Sequence, residues 1–420
     1  MHKTTLKNGL RILEIPQNNS LAVTILVLVG TGAKNETEDI QGVSHFLEHM
    51  FFKGTKKRKN AIKVSEPLDR IGGMYNAFTG YDYTGYYAKV DAKHFDLALD
   101  WVSDIFLNSL LPPKEIEKEK GVVIEELNMD NDAPMQRVQT LWRTLLYGKQ
   151  AAGRNIVGTK ESIKSLTRKH MYDYMKSQYV AQNTVVCVAG NLKEETRKDI
   201  EKKFRSVKNS PFRARDQVGE TQTEPEILLE DRKTDQSHLC LGMRSFPVSH
   251  ENRWTQEVLA TILGGMMSSR LFIEIREKRG LAYYISTHAE LEPDLGYMMT
   301  RAGVRNEKVE EAVATILKEY RKVANQGISV KELQKAKENM KGKMALQLES
   351  SDSQASFYGL QEITEGEVLS PERIYEKIDH VTKAQVKLLA QELMVPARLN
   401  LALTGPYKNK EALRKLMTAL

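Results

Sequence analysis

The sequence predicts an α+β protein in which one domain occurs twice in tandem. The chain has 420 residues, enough for two or three domains. Its halves close on matching segments, each a strand, a glycine and a helix: VVCVAGNLKEETRKDIEKKF at 185–204 and LNLALTGPYKNKEALRKLM at 399–417. A second match, strand then helix, relates GYYAKVDAKHFDLALDWVSDIF at 85–106 to GYMMTRAGVRNEKVEEAVATIL at 296–317. A repeat of about 200 residues indicates two copies of one domain.

A polar stretch separates the two copies. Residues 206–224, SVKNSPFRARDQVGETQTE, lack apolar periodicity and are rich in charge and turn formers. We therefore predict an N-terminal domain over 1–207, a linker over 208–223 and a C-terminal domain over 224–420.

In the first domain, short β-branched runs alternate with longer segments of helical spacing. Strands are predicted at 6–13, turning through Asn8-Gly9, and at 22–29, 74–79, 83–90 and 183–189. Helices are predicted over 42–54, 60–71, 92–109, from Pro112-Pro113 onward, within 134–182 and over 193–205. Glycine and proline mark most of the ends.

The second domain repeats this alternation. Strands are predicted at 226–230, 238–243, 282–290, 295–302 and 399–403. One long helix is predicted over about 252–278, followed by helices over 306–325 and 330–350, further helical sequence to 394 and a last helix over 408–419.

The helix at 42–54, GVSHFLEHMFFKG, carries the chemistry. Its apolar face has the spacing of a core-facing helix and consists of Val43, Phe46, Leu47, Met50 and Phe51. The opposite face carries His45, Glu48 and His49. Imidazoles at i and i+4 lie about 5–6 Å apart at Cβ and can take two corners of a tetrahedral zinc site. The Glu between them can accept a proton from a water at the metal, and His-x-x-Glu-His is the inverzincin signature. The alternative is two hydrogen-bonded histidines in a packed interface.

A third ligand is expected from another helix. The segment KEIEKEKGVVIEELNM at 114–129 has a packing stripe of Ile116, Val123 and Leu127. A glutamate from this helix could complete a metal site if the helix lies beside the first one. Spacing alone leaves Glu119, Glu125 and Glu126 open, and any of them could instead be solvated.

Composition argues against several other classes of protein. Cys187 and Cys240 are too few for a disulfide framework or a zinc ribbon, and their apolar settings indicate buried small side chains. The formal charge of +7 is spread thinly without interleaved stacking aromatics, which favours a solvated surface over a nucleic-acid site. No apolar run reaches the length of a membrane span, and the N-terminus leaves no room for a signal peptide. We expect a cytoplasmic protein without a membrane partner.

Taken together, the motifs resemble those of peptidase family M16. They are LKNGLRIL at 6–13, HFLEHMFFKGT at 45–55, NAFT at 76–79 with T.YY at 84–87, EKGVVIEE at 119–126, SSRLFIEIREKRGLAY at 268–283 and LESSDSQ at 348–354. The family includes pitrilysin, insulin-degrading enzyme and mitochondrial processing peptidase, and the chain most resembles bacterial processing-protease-like members. The resemblance implies two homologous M16-type domains, each with an antiparallel-rich sheet packed with helices.

The resemblance also implies an activity and a set of site residues. The activity is a zinc-dependent endopeptidase that cleaves short unstructured peptides inside a closed chamber, with one Zn²⁺ per chain. The implied zinc ligands are His45, His49 and Glu126. Glu48 is the implied general base, and Glu119 is a neighbour that orients the site. The C-terminal copy has no His-x-x-Glu-His and is expected to bind no zinc.

Further roles come from the same resemblance. Asn76, Ala77 and Phe78 match an edge strand that pairs with substrate backbone. Arg276 and Tyr283 match the family's Arg/Tyr pair on the second-domain side of the chamber, and they are the further catalytic residues that the resemblance implies. The pair is expected to help hold the substrate and the tetrahedral intermediate. One departure is local, since Lys34-Asn35-Glu36 stands where the family often has Ser-Arg before an acidic residue.

The resemblance implies a homodimer, because larger family members enclose a chamber with four such domains. Arg276 and Tyr283 of one subunit would then complete the zinc site of the other. Two alternatives stay open: a non-catalytic structural or interaction subunit, and a processing subunit of a heteromeric peptidase. The full ligand set argues against the first. The presence of the zinc motif and the Arg/Tyr pair in one polypeptide argues against the second.

Overall fold

The structure, a computed structural model, describes residues 1–419. The elements of the first half are β1 (His2–Thr5), β2 (Arg11–Pro16), β3 (Ala22–Val29), α1 (Val43–Phe51), α2 (Ala61–Asp69), β4 (Met74–Thr79), β5 (Thr84–Asp91), α3 (Phe95–Asn108), α4 (Pro113–Asp132), α5 (Pro134–Tyr147), α6 (Lys160–Ser165), α7 (Arg168–Gln178), β6 (Thr184–Gly190) and α8 (Thr196–Phe204). Most of these lie close to the predicted elements.

The elements of the second half are β7 (Glu226–Asp231), β8 (Gln236–Ser245), α9 (Arg253–Gly264), a π-helical segment (Phe272–Glu277), β9 (Ala282–Leu291), β10 (Gly296–Arg305), α10 (Val309–Gln326), α11 (Val330–Gln347), α12 (Ser351–Thr364), α13 (Pro371–His380), α14 (Lys383–Leu393), β11 (Leu399–Gly405) and α15 (Lys410–Thr418). Among residues 1–419, no helix has the length and apolar character needed to span a membrane.

The two sheets share one topology. The first has the strand order β1-β2-β6-β3-β5-β4 and the second has the order β7-β11-β8-β10-β9. In the first sheet only the β2–β6 pair is parallel, and in the second only β7–β11 is parallel. The five strands of the second sheet therefore correspond one to one with β2, β6, β3, β5 and β4. The predicted α+β class and the repeat of an antiparallel-rich sheet with helices are confirmed.

Contacts divide the chain into two compact units that interleave along the sequence. The first unit comprises Met1–Asn128, Arg154–Asp216 and Leu346–Leu369, and the second comprises Met129–Gly153, Gln217–Ala345 and the chain from Ser370 onward. Each unit therefore includes a helix that the linear repeat assigns to the other half. The homology boundaries at 207/208 and 223/224 stay a prediction.

In the first unit, helices cover both faces of the sheet. The helices α1 and α3 pack on one face, where they share an apolar core with Val27 and Tyr86. The helix α12 packs on the other face against β3 and β6. It approaches closely at Gly359, where an added Cβ would lie 2.6 Å from Cys187 Sγ and 2.7 Å from Leu28 Cδ1. Cys187 is fully buried, as predicted.

In the second unit, α9 packs against β9 and β10, and α5 packs against β8 and β11. The core under α5 includes Trp142 and Cys240, which is fully buried as predicted. The position of α5 on this sheet matches that of α12 on the first sheet.

Two predicted elements are wrong. The helix expected over 252–278 ends at Gly264, and a separate π-helical segment follows. The Gly264-Gly265 pair favours this end because glycine is a poor helix former. In the run 6–13, the predicted turn at Asn8-Gly9 is confirmed, with Gly9 N–H donating to Leu6 O at 2.9 Å. The predicted strand is wrong before Arg11, because residues 6–10 belong to this turn and β2 begins only at Arg11, paired with β1.

Candidate metal centre

The start of α1 is held by a buried carboxylate. Glu36 accepts hydrogen bonds from the backbone N–H groups of Gly42 at 2.7 Å and Ser44 at 2.8 Å. These donors have no partner within the helix, so Glu36 satisfies groups that the helix start leaves open. Burial raises the pKa of Glu36 to about 7, against the lowering effect of the two hydrogen bonds. The loop that departs from the family pattern therefore positions the helix.

The two faces of α1 are those that the sequence predicts. The apolar residues Val43, Phe46, Leu47, Met50 and Phe51 are fully buried. On the other face, His45 is buried and Glu48 and His49 are partly exposed. The ring centroids of His45 and His49 lie 4.7 Å apart.

The helix α4 brings a third ligand to the two imidazoles. Its stripe of Ile116, Val123 and Leu127 is buried in the core of the first unit. Glu126 Oε1 lies 3.4 Å from His45 Nε2, and Glu126 Oε2 lies 3.4 Å from His49 Nε2. This placement selects Glu126 among the glutamates that spacing left open.

The donor set fits a four-coordinate zinc ion. One ligand atom from each of His45, His49 and Glu126 lies within 4.8 Å of the other two. Ligand atoms of a tetrahedral zinc ion with bonds of about 2.0–2.1 Å lie about 3.4 Å apart. Each imidazole Nε2 lies 3.4 Å from one oxygen of Glu126, Oε1 for His45 and Oε2 for His49. Two imidazoles and one carboxylate leave a fourth position, as in catalytic rather than structural zinc sites.

Glu119 fixes the orientation of His49. It accepts from His49 Nδ1 at 2.8 Å, so Nε2 is the nitrogen that faces Glu126. Lys53 Nζ lies 2.7 Å from the other oxygen of Glu119. Burial opposes the charge of Glu119, but the hydrogen bonds from His49 and Lys53 outweigh burial and hold its pKa below the usual range.

The centre is strongly coupled in its protonation. Hydrogen bonds with His45 and His49 hold the pKa of Glu126 well below the usual range. Burial disfavours a charged His49, but Glu119 and Glu126 outweigh burial and raise its pKa to about 9. Two carboxylates, Glu119 and Glu126, thus favour a positive charge on His49. His45 Nδ1 is buried and has no hydrogen-bond partner within residues 1–419.

Glu48 is positioned by the edge strand of the sheet. Thr79 Oγ1 donates to Glu48 Oε2 at 2.5 Å. Thr79 ends β4, which is an edge strand of the sheet formed by residues 1–419. The predicted substrate-pairing residues Asn76, Ala77 and Phe78 lie in the same strand. Glu48 and the strand edge are therefore joined by one hydrogen bond.

In the second unit, Arg276 and Tyr283 are neighbours. The guanidinium carbon of Arg276 lies 5.6 Å from the ring centroid of Tyr283 and 4.9 Å from that of Phe272. Tyr283 is 76% exposed. The pair is thus assembled within its own unit, and its role stays a prediction.

Comparison with known proteins decides the family. A family model described as Insulinase (Peptidase family M16) matches residues 11–160, and one described as Peptidase M16 inactive domain matches 165–340. An uncharacterized zinc protease of Bacillus subtilis is 38% identical over 405 residues, which are 96% of this chain and 98% of that protein. The chain belongs to peptidase family M16.

Other relatives extend this M16 assignment. An uncharacterized zinc protease of Mycobacterium leprae is 34% identical over 419 residues, 98% of this chain and 93% of its own. A crystal structure of a protease from Helicobacter pylori has a TM-score of 0.90 at 24% identity and covers 96% of this chain and 99% of its own. A Pseudomonas fluorescens structure described as a peptidase M16 inactive domain has a TM-score of 0.88 at 17% identity, with 97% and 98% coverage. The two structures share the fold of this M16 chain.

Two contacts of the centre lay outside the predicted site residues of this M16 chain. Thr79, which holds Glu48, stands in the NAFT motif, and Lys53, which holds Glu119, follows His49 by one helical turn. A search for polar side chains one helical turn after each histidine, or one residue after Phe78, would have found both.

Proposed function

We propose that this M16 chain is a zinc-dependent endopeptidase that cleaves short unstructured peptides inside a closed chamber. The observation that carries the proposal is the convergence of His45, His49 and Glu126 on one point, with Glu48 on the same helix face. The three ligands would hold one zinc ion.

The side chains would divide the chemistry among them. When bound, zinc lowers the pKa of a water and polarises the peptide carbonyl. Glu48 would take the proton of the attacking water and return it to the leaving amine. Thr79 would keep the Glu48 carboxylate turned toward that water through its hydrogen bond. The open edge of β4 offers backbone groups that an extended peptide of almost any sequence can pair with.

The decisive variant is Glu48→Gln, which keeps the shape of the side chain and removes the base. We expect it to retain zinc and to lose about 10²- to 10⁴-fold of peptidase turnover on a quenched unstructured peptide. Glu125→Gln is the matched control, because Glu125 is exposed on α4 and should leave both zinc content and turnover unchanged. Wild-type turnover in Glu48→Gln would refute the assignment of the base. A pure wild-type protein that neither holds zinc nor cleaves peptides would instead indicate the non-catalytic alternative.

We further propose a homodimer in which Arg276 and Tyr283 of one chain complete the zinc centre of the other. The resemblance supports this arrangement, as does the exposure of Tyr283 beside the Arg276 guanidinium. Mixing inactive Glu48→Gln and Tyr283→Phe homodimers tests it. Mixed dimers would carry both lesions in one site and keep the other intact, so about a quarter of wild-type activity is expected after full exchange. No recovery, with exchange shown by native mass spectrometry, would rule out the trans arrangement.

A further inference from the structure

Arg301 is a partly buried cation on β10 whose hydrogen-bond partners are both neutral. Its Nε donates to Ser286 Oγ at 3.1 Å, and its Nη1 donates to Gln139 Oε1 at 3.3 Å. Within residues 1–419, no carboxylate lies within 4.0 Å of the guanidinium and Nη2 makes no hydrogen bond. A guanidinium removed from water usually pairs with an anion, because an unpaired buried charge is costly.

The neighbours of Arg301 on the same sheet face add no negative charge. Ser286 stands opposite Arg301 in the β9–β10 register, and His288 Nε2 lies 3.1 Å from Ser286 Oγ. Burial, with Arg301 and Lys343 nearby, lowers the pKa of His288. Lys343 Nζ donates to the backbone oxygen of Gly265 at 2.8 Å, and within the described chain it has no carboxylate partner.

Two more polar side chains continue this face. His238 Nδ1 and Tyr284 OH are 3.0 Å apart, and both stand opposite Gly303, two residues along β10 from Arg301. The acidic residue on this face of β9, Glu290, is four residues from Ser286, about 13 Å along the strand. These side chains together form what we call the Arg301 cluster: Gln139, His238, Tyr284, Ser286, His288 and Arg301.

We propose that the Arg301 cluster binds a carboxylate of a peptide ligand, an inference that rests on the proposed peptidase function. The free Nη2 and the adjacent Nη1 form the edge of the guanidinium that accepts a carboxylate in a two-point contact. The hydroxyl of Ser286 accepts from Nε of the same guanidinium, and His288 Nε2 lies 3.1 Å from that hydroxyl, so both are neutral polar neighbours. Every peptide substrate and product with a free C-terminus carries such a carboxylate, and aspartate or glutamate side chains offer the same chemistry.

Binding of four matched peptides to zinc-loaded Glu48→Gln protein tests the proposal without turnover. The first pair of fluorescent peptides differs only in a C-terminal acid or a C-terminal amide. The second pair has a C-terminal amide in both members and differs only in one internal glutamate or glutamine. Fluorescence anisotropy should show about tenfold tighter binding of one carboxylate form over its neutral counterpart. The pair that shows the preference identifies the C-terminus or the side chain as the source.

The same measurements on double variants locate the site. Arg301→Gln should abolish the preference, and Arg301→Lys should keep only part of it because an ammonium cannot make the two-point contact. Arg305→Gln is the control, since Arg305 is an exposed arginine at the end of the same strand and should leave the preference intact. Each preference is a ratio within one variant, so a general loss of affinity does not imitate the effect. Equal binding of charged and neutral peptides, or a preference that survives Arg301→Gln, overturns the proposal.

Turnover by the wild-type protein distinguishes a failure of carboxylate binding at the Arg301 cluster from a failure of the proposed peptidase function. If zinc-loaded wild-type protein cleaves none of the peptides, the peptidase assignment fails. The anisotropy ratios still decide whether the Arg301 cluster recognises carboxylates. If cleavage occurs, the preferred source should lower KM and leave kcat unchanged in wild type, and Arg301→Gln should remove that difference.

Discussion

Glu119 should control the zinc affinity of the centre without touching the metal. It accepts from His49 Nδ1 at 2.8 Å and is 3% exposed, so its charge acts on the imidazole with little solvent screening. Replacement of such a partner typically weakens metal binding about 10- to 100-fold. Glu119→Gln keeps an oxygen that can accept from His49, and about tenfold, or 1.4 kcal/mol, is expected. Glu119→Ala removes the acceptor, and about 100-fold, or 2.7 kcal/mol, is expected.

Competition with a chromophoric chelator at neutral pH would measure these affinities. Glu117→Gln is the control, because Glu117 lies on the same helix, has a 71% exposed side chain, and within residues 1–419 pairs with Lys120 and not with the centre. Circular dichroism of the metal-free proteins would show whether either variant loses the fold. A zinc affinity of Glu119→Ala equal to that of Glu117→Gln would refute the reasoning, since the hydrogen bond to His49 would then contribute nothing.

Three further predictions concern protonation and packing. Glu119 and Glu126 raise the pKa of metal-free His49 to about 9, so zinc must displace a proton from His49 at pH 7. Calorimetry in buffers of different ionisation enthalpy should detect the release of this proton. The apparent zinc affinity should rise about tenfold per pH unit up to that pKa. Burial raises the pKa of Glu36 from 4.5 to about 7, so between pH 4.5 and 7 the folded chain keeps the Glu36 proton that the unfolded chain loses. The free energy of unfolding should therefore fall as pH rises through this range, by at most about 1.4 kcal/mol per pH unit. Urea unfolding of Glu36→Gln should lack this pH dependence. A Cβ on Gly264 would lie 2.4 Å from the backbone nitrogen of Thr287, so Gly264→Ala should destabilise the chain by about 1–3 kcal/mol in thermal melts. Gly342→Ala is the control, because a Cβ on Gly342 meets open space and the variant should be neutral or stabilising.

The helix α1, with the two histidines of the candidate metal centre, was the part of the molecule most open to prediction. Its five apolar residues and its two histidines each follow from helical spacing, and the structure buries the first set and gathers the second. Helical periodicity determines which residues share a face of α1, because all of these residues lie within three turns of one helix. The two-sheet repeat was equally visible, since matching strand–glycine–helix segments recur in both halves.

The third ligand required tertiary information. Glutamates occur at several positions of α4, and only the way its stripe of Ile116, Val123 and Leu127 packs turns Glu126 toward the imidazoles. Family resemblance supplied that choice before the structure did. The interleaving of the units was not predictable from periodicity, because an amphipathic helix such as α12 has the same pattern whichever sheet it covers. The break after Gly264 was missed because apolar spacing continues beyond it.

The position of α12 in the first unit has a consequence for synthesis of the chain. The first sheet is complete once β6 ends at Gly190, yet the helix that covers its second face begins only at Ser351. At about 5–20 residues per second, a ribosome needs roughly 10–30 s to make the intervening stretch of about 160 residues. During that interval Leu28 and Cys187 face solvent or a chaperone, because their native cover does not yet exist. The nascent chain is therefore most prone to aggregation after its first half has been made, and separate expression of residues 1–207 would make that exposure permanent.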